Sequence, residues 1–285
     1  HPDRAIALSV SGFLCVSIMD AIIKQMSETY GAMELVLFRS LFGLIPVAAM
    51  IMMTGRISML VTRRPGLQAL RAILATVTTF LFFLSLRYLP LGEAVALVFT
   101  APICLTVLAG PVLGEKVGPR RWFAVAVGFV GVLTILRPGS DVFSPYALLP
   151  VSAALTFSFT MLLGRKLALT DNSTSIVFYT SVGGVLASAV LVPMDWITPR
   201  LDHLPWLLLI GILGGVGQLL IVQAFRYAEA SMLAPFEYTC IVWAILFGYL
   251  IWSELPDQWT VVGAAIVIAS GLYIAQRESR ARRVG

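Results

Sequence analysis

Four ionisable side chains stand inside long apolar runs: Asp20 and Lys24 in the first run, Arg39 in the second and Glu237 in a late one. Charge within an apolar span is expensive, so such groups pair with one another, line a water-filled path or move an ion or solute. Asp20 and Lys24 are four apart and share one helix face. At 1.5 Å per residue, Asp20 and Arg39 both lie roughly 10 Å below the same boundary, on two consecutive antiparallel helices. They can meet. Lys24 and Glu34 share a shallower level, so a four-charge cluster is expected on one half of the first helical hairpin. Two chemistries suit it: Arg39 or Lys24 offers a cation to a substrate carboxylate, or Asp20 takes up a proton. A structural salt-bridge network suits the same residues.

Glu237 stands in Pro235-Phe236-Glu237-Tyr238-Thr239, about one turn inside its run, where Pro235 frees a backbone carbonyl. Arg71 lies at comparable depth and is the expected counter-charge. A gate contact, a substrate contact and a snorkelling carboxylate are all open readings, and with fewer cations in reach than Asp20, Glu237 is the better expected proton carrier. Uncharged groups add Gln218 and Thr79 as cavity-lining candidates, with Phe83, Tyr179, Tyr238 and Trp243 as aromatic walls. Such residues also pack helices or back-bond to the chain. The expected site is therefore Asp20, Lys24, Arg39, Glu237, Tyr238, Gln218, Thr79, Phe83, Tyr179 and Trp243. No G-x-x-x-x-G-K-[ST] run occurs, so nucleotide hydrolysis is not the energy source. With two His and no H-E-x-x-H, no metal site is expected and no cofactor is called for. Cys15, Cys104 and Cys240 lie far apart in apolar runs and read as packing residues.

The elements that hold these groups follow from composition. Of 285 residues 59% are hydrophobic and 12% charged, with a mean hydropathy of +0.91, far from the balance of a soluble domain. Apolar runs at 5–26, 32–54, 67–86, 94–113, 122–136, 146–163, 175–192, 204–225, 232–252 and 260–275 predict ten transmembrane helices. The fifth and tenth are short for a bilayer core. The linkers are too short for a domain outside the bilayer, so the work is done within it. The chain opens on His1, and a trimmed start with a retained first span is expected. With the N-terminus in the cytoplasm, fifteen of the 20 basic residues fall on inner loops and ends, against Arg87, Arg137 and Arg200 outside. Both termini are then cytoplasmic. The net charge of +5 thereby reports topology and implicates no nucleic acid.

A repeat runs through the chain. Leu86-Arg87-Tyr88 returns as Phe225-Arg226-Tyr227, and Gly114-Glu115 as Ser253-Glu254, both at an offset of 139. Val10-Ser11 returns as Val151-Ser152, and Ser40-x-x-Gly43 as Ser181-x-x-Gly184, at 141. Each half holds five helices. An odd number makes the second copy enter from the opposite side, which predicts an all-α polytopic protein of two inverted five-helix repeats, 1–139 and 140–285, around a central cavity.

The stretch from Ser17 to Lys24, Phe38-Arg39-Ser40-Leu41-Phe42, and the Gly114-Glu115-Lys116 and Ser253-Glu254 endings resemble the drug/metabolite transporter superfamily, EamA type, over nearly the whole chain. The resemblance implies a basket-like inverted-repeat bundle, a bacterial cytoplasmic (inner) membrane location and a cargo drawn from amino acids, purines, sugars, vitamins, polyamines or S-adenosylmethionine. Thr180 stands where the second half would match Arg39, so an asymmetric cavity is expected. The reading is a secondary transporter, not an enzyme, that exports or exchanges small metabolites, amino acids first, by alternating access. A larger cargo such as S-adenosylmethionine, a nucleobase or riboflavin is the rival. A polytopic membrane enzyme is the rival of another class, and no convergent catalytic group supports it. The expected partners are a small-molecule substrate and the lipid bilayer, with a homodimer left open.

Overall fold

The computed structural model describes residues 2–54, 60–113, 118–137, 144–168, 170–171, 173–194, 196–224, 227 and 236–284. Gly114-Glu115-Lys116, Pro235 and Arg226 lie outside them. The described residues form α-helices and no strand. They are α1 (Pro2–Met26), α2 (Ala32–Thr54), α3 (Pro65–Leu86), α4 (Leu91–Val98), α5 (Ala101–Leu113), α6 (Pro119–Leu136), α7 (Leu148–Ala168), α8 (Ser173–Leu191), α9 (Leu204–Ala224), α10 (Thr239–Trp252) and α11 (Gln258–Val284). Among the described residues, seven stretches are long and apolar enough to cross a membrane, α4 and α5 counting together. Trp122–Leu136, Thr239–Trp252 and Gln258–Ile274 are apolar but shorter. Outward-facing Met53, Val190 and Phe123 are 88%, 76% and 71% exposed, as lipid-facing residues of a multi-pass membrane protein are.

The fourth apolar run, read from sequence as one helix, is two. Pro102 has no N–H for the Val98 carbonyl, and Thr100 turns its amide to Leu97 O at 3.1 Å and its hydroxyl to the same oxygen at 2.5 Å. The chain breaks at Phe99–Thr100. A matching turn stands before α10, where Thr239 Oγ1 donates to Phe236 O at 2.6 Å, and the rings of Phe99 and Tyr238 meet at 4.8 Å. The Tyr238 hydroxyl rests on Gly271 of α11, where any Cβ would collide with it.

Two helices pack against partners far away in the chain. Helix α3 packs along α7 and α8, and α9 packs along α1 and α2. Close approach depends on missing side chains: a Cβ on Gly211 would strike Phe42, and one on Gly183 would strike Ala72. At one face, where α1 and α3 end, Tyr30 accepts from the Arg200 amide at 3.1 Å and bonds His203 Nδ1 at 2.9 Å. At the opposite face Asp171 accepts from Thr62 Oγ1, from the Arg63 amide at 3.1 Å and from Gln68 Nε2 at 2.9 Å. Slight burial alone would raise the Asp171 pKa, but these donors outweigh it and hold the carboxylate at about 2.

Helices α6 and α11 form a separate pair, crossing at Gly131 and Gly263 and tied by Ser270 Oγ donating to Ala124 O at 2.6 Å. A Cβ on Gly263 would lie 2.6 Å from Gly131 O and 2.5 Å from Ile135 Cγ1. The obstacle is backbone, which cannot swing aside. Gly263→Val is expected to cost about 3 kcal/mol, read as a lower melting temperature and less monodisperse protein in detergent. Unchanged melting would mean the pair can separate without loss.

Candidate functional site

The breaks and crossings bring the deep polar groups to one place. Asp20 is 8% exposed on α1, and its charge interacts with Arg39 of α2. They meet as expected in position but form no direct ion pair. Asp20 Oδ1 and Arg39 Nε have no hydrogen-bond partner. The Arg39 stem runs over Gly214 of α9, where a Cβ would come within 3.5 Å of Nε. One turn before Asp20, the Ser17 hydroxyl lies beside the Cys240 thiol at the start of α10, and Cys240 feels the charges of both Asp20 and Glu237. Asp20, Arg39, Cys240 and Glu237 thus form one group supplied by α1, α2 and the α10 break.

The group is not sealed. Arg39, Glu237, Tyr238, Cys240 and Trp243 each keep part of their surface accessible. Trp243, six residues after Glu237, stacks on Phe247 with centroids 6.3 Å apart and leaves Nε1 unpartnered. The arrangement offers charges of both signs, a free indole donor and aromatic faces within a few residues of each other.

Two expected pairings are replaced. Lys24 does not pair with Glu34; it donates to Glu254 Oε1 and Oε2 at 2.8 and 2.7 Å and to Leu89 O at 3.0 Å. Glu34, 2% exposed, makes no ion pair among the described residues. Arg71 does not neutralise Glu237. Its Nη1 donates to Thr180 Oγ1 on α8, and its stem crosses Gly164 of α7, where a Cβ would lie 3.3 Å from Nε. Arg71 thus brings a guanidinium from α3 beside Thr180.

The softer candidates divide. Thr79 Oγ1 back-bonds to Ala75 O at 2.9 Å, while its neighbour Thr78 reaches Thr156 Oγ1 across the α3–α7 crossing at 2.8 Å. Phe83, 1% exposed, lies in the apolar core beside Phe82. Tyr179 sits edge-on to Phe178 at 5.5 Å, and Gln218 is half-buried on α9. Ser17, Cys240, Phe99 and Glu254 were not singled out from sequence as site residues. Glu254 carried a signal there as the end of a repeated motif, Ser17 opened the stretch that carries the family resemblance, and Cys240 read as a packing residue.

Known proteins bear on this arrangement. A family model described as the EamA-like transporter family matches residues 3–137 and again 144–276. An S-adenosylmethionine uptake transporter of Rickettsia prowazekii is 28% identical over 93% of this chain and 90% of its own. A riboflavin transporter of Vibrio cholerae is 29% identical over 99% and 96%, and a pseudopaline exporter of Pseudomonas aeruginosa 26% over 95% and 95%. A solved crystal structure covers 98% of both chains with a TM-score of 0.67 at 17% identity, a likeness of fold.

Proposed function

This chain belongs to the EamA-like transporter family, and from that premise we propose that it exports or exchanges a zwitterionic small metabolite, an amino acid or a molecule bearing that group, by alternating access. The observation that carries the reading is the facing pair of Asp20 and Arg39, with Oδ1 and Nε unpartnered beside the accessible Glu237. An α-carboxylate suits the guanidinium and an α-ammonium suits the carboxylates, so a zwitterion meets both signs at once. Accessible aromatic surface at Tyr238 and Trp243 suits an apolar or planar side group. Relatives named for S-adenosylmethionine and riboflavin support small metabolites as the cargo class.

The proposed architecture is ten spans in two inverted repeats, 1–139 and 140–285, with both termini cytoplasmic in a bacterial inner membrane. Paired contacts support it. Thr100 with Leu97 and Thr239 with Phe236 are the same hydroxyl bond moved by 139 residues. Phe42 against Gly211 maps onto Gly183 against Ala72 when the two offsets are applied. Tyr30 and Asp171, 141 apart, anchor the approach to α9 and α3 at opposite faces.

The test is uptake and counterflow in proteoliposomes with labelled L-amino acids, S-adenosylmethionine and riboflavin. Saturable flux of an amino-acid-bearing substrate is expected, with competition from other zwitterions. Flux of riboflavin alone would shift the reading to the aromatic surfaces. No flux of any of the three overturns it.

A further inference from the structure

At the face where α1 ends, three segments are fastened by one ammonium. Lys24 spends its donors on both Glu254 oxygens and on the Leu89 carbonyl, and lies 5.0 Å from the Trp252 ring centroid. Leu89 belongs to the α3–α4 connection, Lys24 to α1 and Glu254 to the chain after α10. Glu254 is placed there by backbone that resists it. Ser253 adopts φ 58, a left-handed conformation that costs a β-carbon, and so returns the Glu254 amide to Gly248 O at 3.0 Å.

We propose that this Lys24–Glu254–Leu89 knot is the gate of that face, shut in this structure and parted whenever the face opens. The inference rests on the transporter reading and adds the gate's identity. Position argues for it first: Lys24 is one turn beyond Asp20 on the same helix face, directly between the central group and the surface. The kind of bond argues next. Lys24 is 9% exposed at its side chain and Glu254 31%, so an ion pair and one carbonyl bond at the water boundary exchange for hydration at small net cost. The anchors at Tyr30 and Asp171 differ. They reinforce α9 against α1 and α2, and α3 against α7 and α8, helices already packed along their lengths, whereas Leu89 meets Lys24 only at helix ends.

The test needs no substrate. With Cys15→Ser and Cys104→Ser, Cys240 reports access to the central group, and the membrane-impermeant thiol reagent MTSET is applied to vesicles of either orientation. Glu254→Gln is expected to raise Cys240 modification from the Lys24 face about tenfold, with little change from the opposite face. The exchange Lys24→Glu with Glu254→Lys is expected to return the rate most of the way to the parent's, because the ion pair is rebuilt. An unchanged rate in Glu254→Gln overturns the gate. So does an equal rise from both faces, which marks a merely structural fastening, or an exchange variant as open as Glu254→Gln. Absent flux in the substrate assay overturns the transporter reading instead, and leaves this measurement legible.

Discussion

Arg39→Ala is expected to lower substrate flux at least a hundredfold at equal protein in the membrane. Asp20 would keep its place on α1 with the facing charge of Arg39 gone, and removing one partner of a buried charge pair costs about 3–5 kcal/mol. Within a span the carboxylate would answer by binding a proton, which also removes the charge a substrate ammonium needs. Misfolding is the competing explanation, and the double variant Asp20→Asn with Arg39→Gln separates the two. It leaves no orphan charge, keeps volumes near the original, and so is expected to assemble normally while remaining inactive. Arg39→Lys retains charge but loses the planar fork, and an intermediate rate is expected from it. Should the neutral double variant transport at the wild-type rate, the pair is structural and the substrate binds elsewhere.

The second large effect is at Glu237. It makes no ion pair among the described residues, keeps accessible surface, and has Tyr238 and Cys240 as its titratable neighbours, with Asp20 acting on the same thiol. A carboxylate so placed can carry a proton from the acidic side to the alkaline side as the two faces open in turn. In proteoliposomes an imposed pH gradient is expected to drive wild-type net flux. Glu237→Gln, a permanent mimic of the protonated form, is expected to abolish that dependence while substrate counterflow stays within about twofold, since exchange needs no net proton movement. A wild type indifferent to the gradient removes the proton role and returns Glu237 to a gate or a packing contact.

The helices and the central pair were legible because they depend on local quantities. Apolar runs located the helical stretches, and helical rise put Asp20 and Arg39 at one depth. What the sequence hid was long-range or uncharged. Lys24 chose Glu254, 230 residues away, over the nearer Glu34, because the left-handed Ser253 swings that carboxylate onto α1; no spacing rule encodes this. The split at Phe99–Thr100 needed the joint effect of Pro102 and a Thr hydroxyl that competes for the Leu97 carbonyl. Phe83 read as a wall because aromatic content alone does not tell core from lining. Arg71 read as a partner for Glu237 because depth was known and azimuth around the helix axis was not.

The packing of α3 against helices much later in the chain has a consequence for synthesis. When the ribosome has completed α3, the helices that cover it, α7 and α8, do not yet exist; α8 ends at Leu191, roughly a hundred residues after Leu86. At ~5–20 residues per second that interval lasts on the order of 5–20 s. During it the small-residue and hydroxyl face of α3, with Arg71 on it, stands in lipid or against the insertion machinery without its native cover. The segment through α3 therefore waits, and α3 gains its native cover only when the chain through Leu191 has been made.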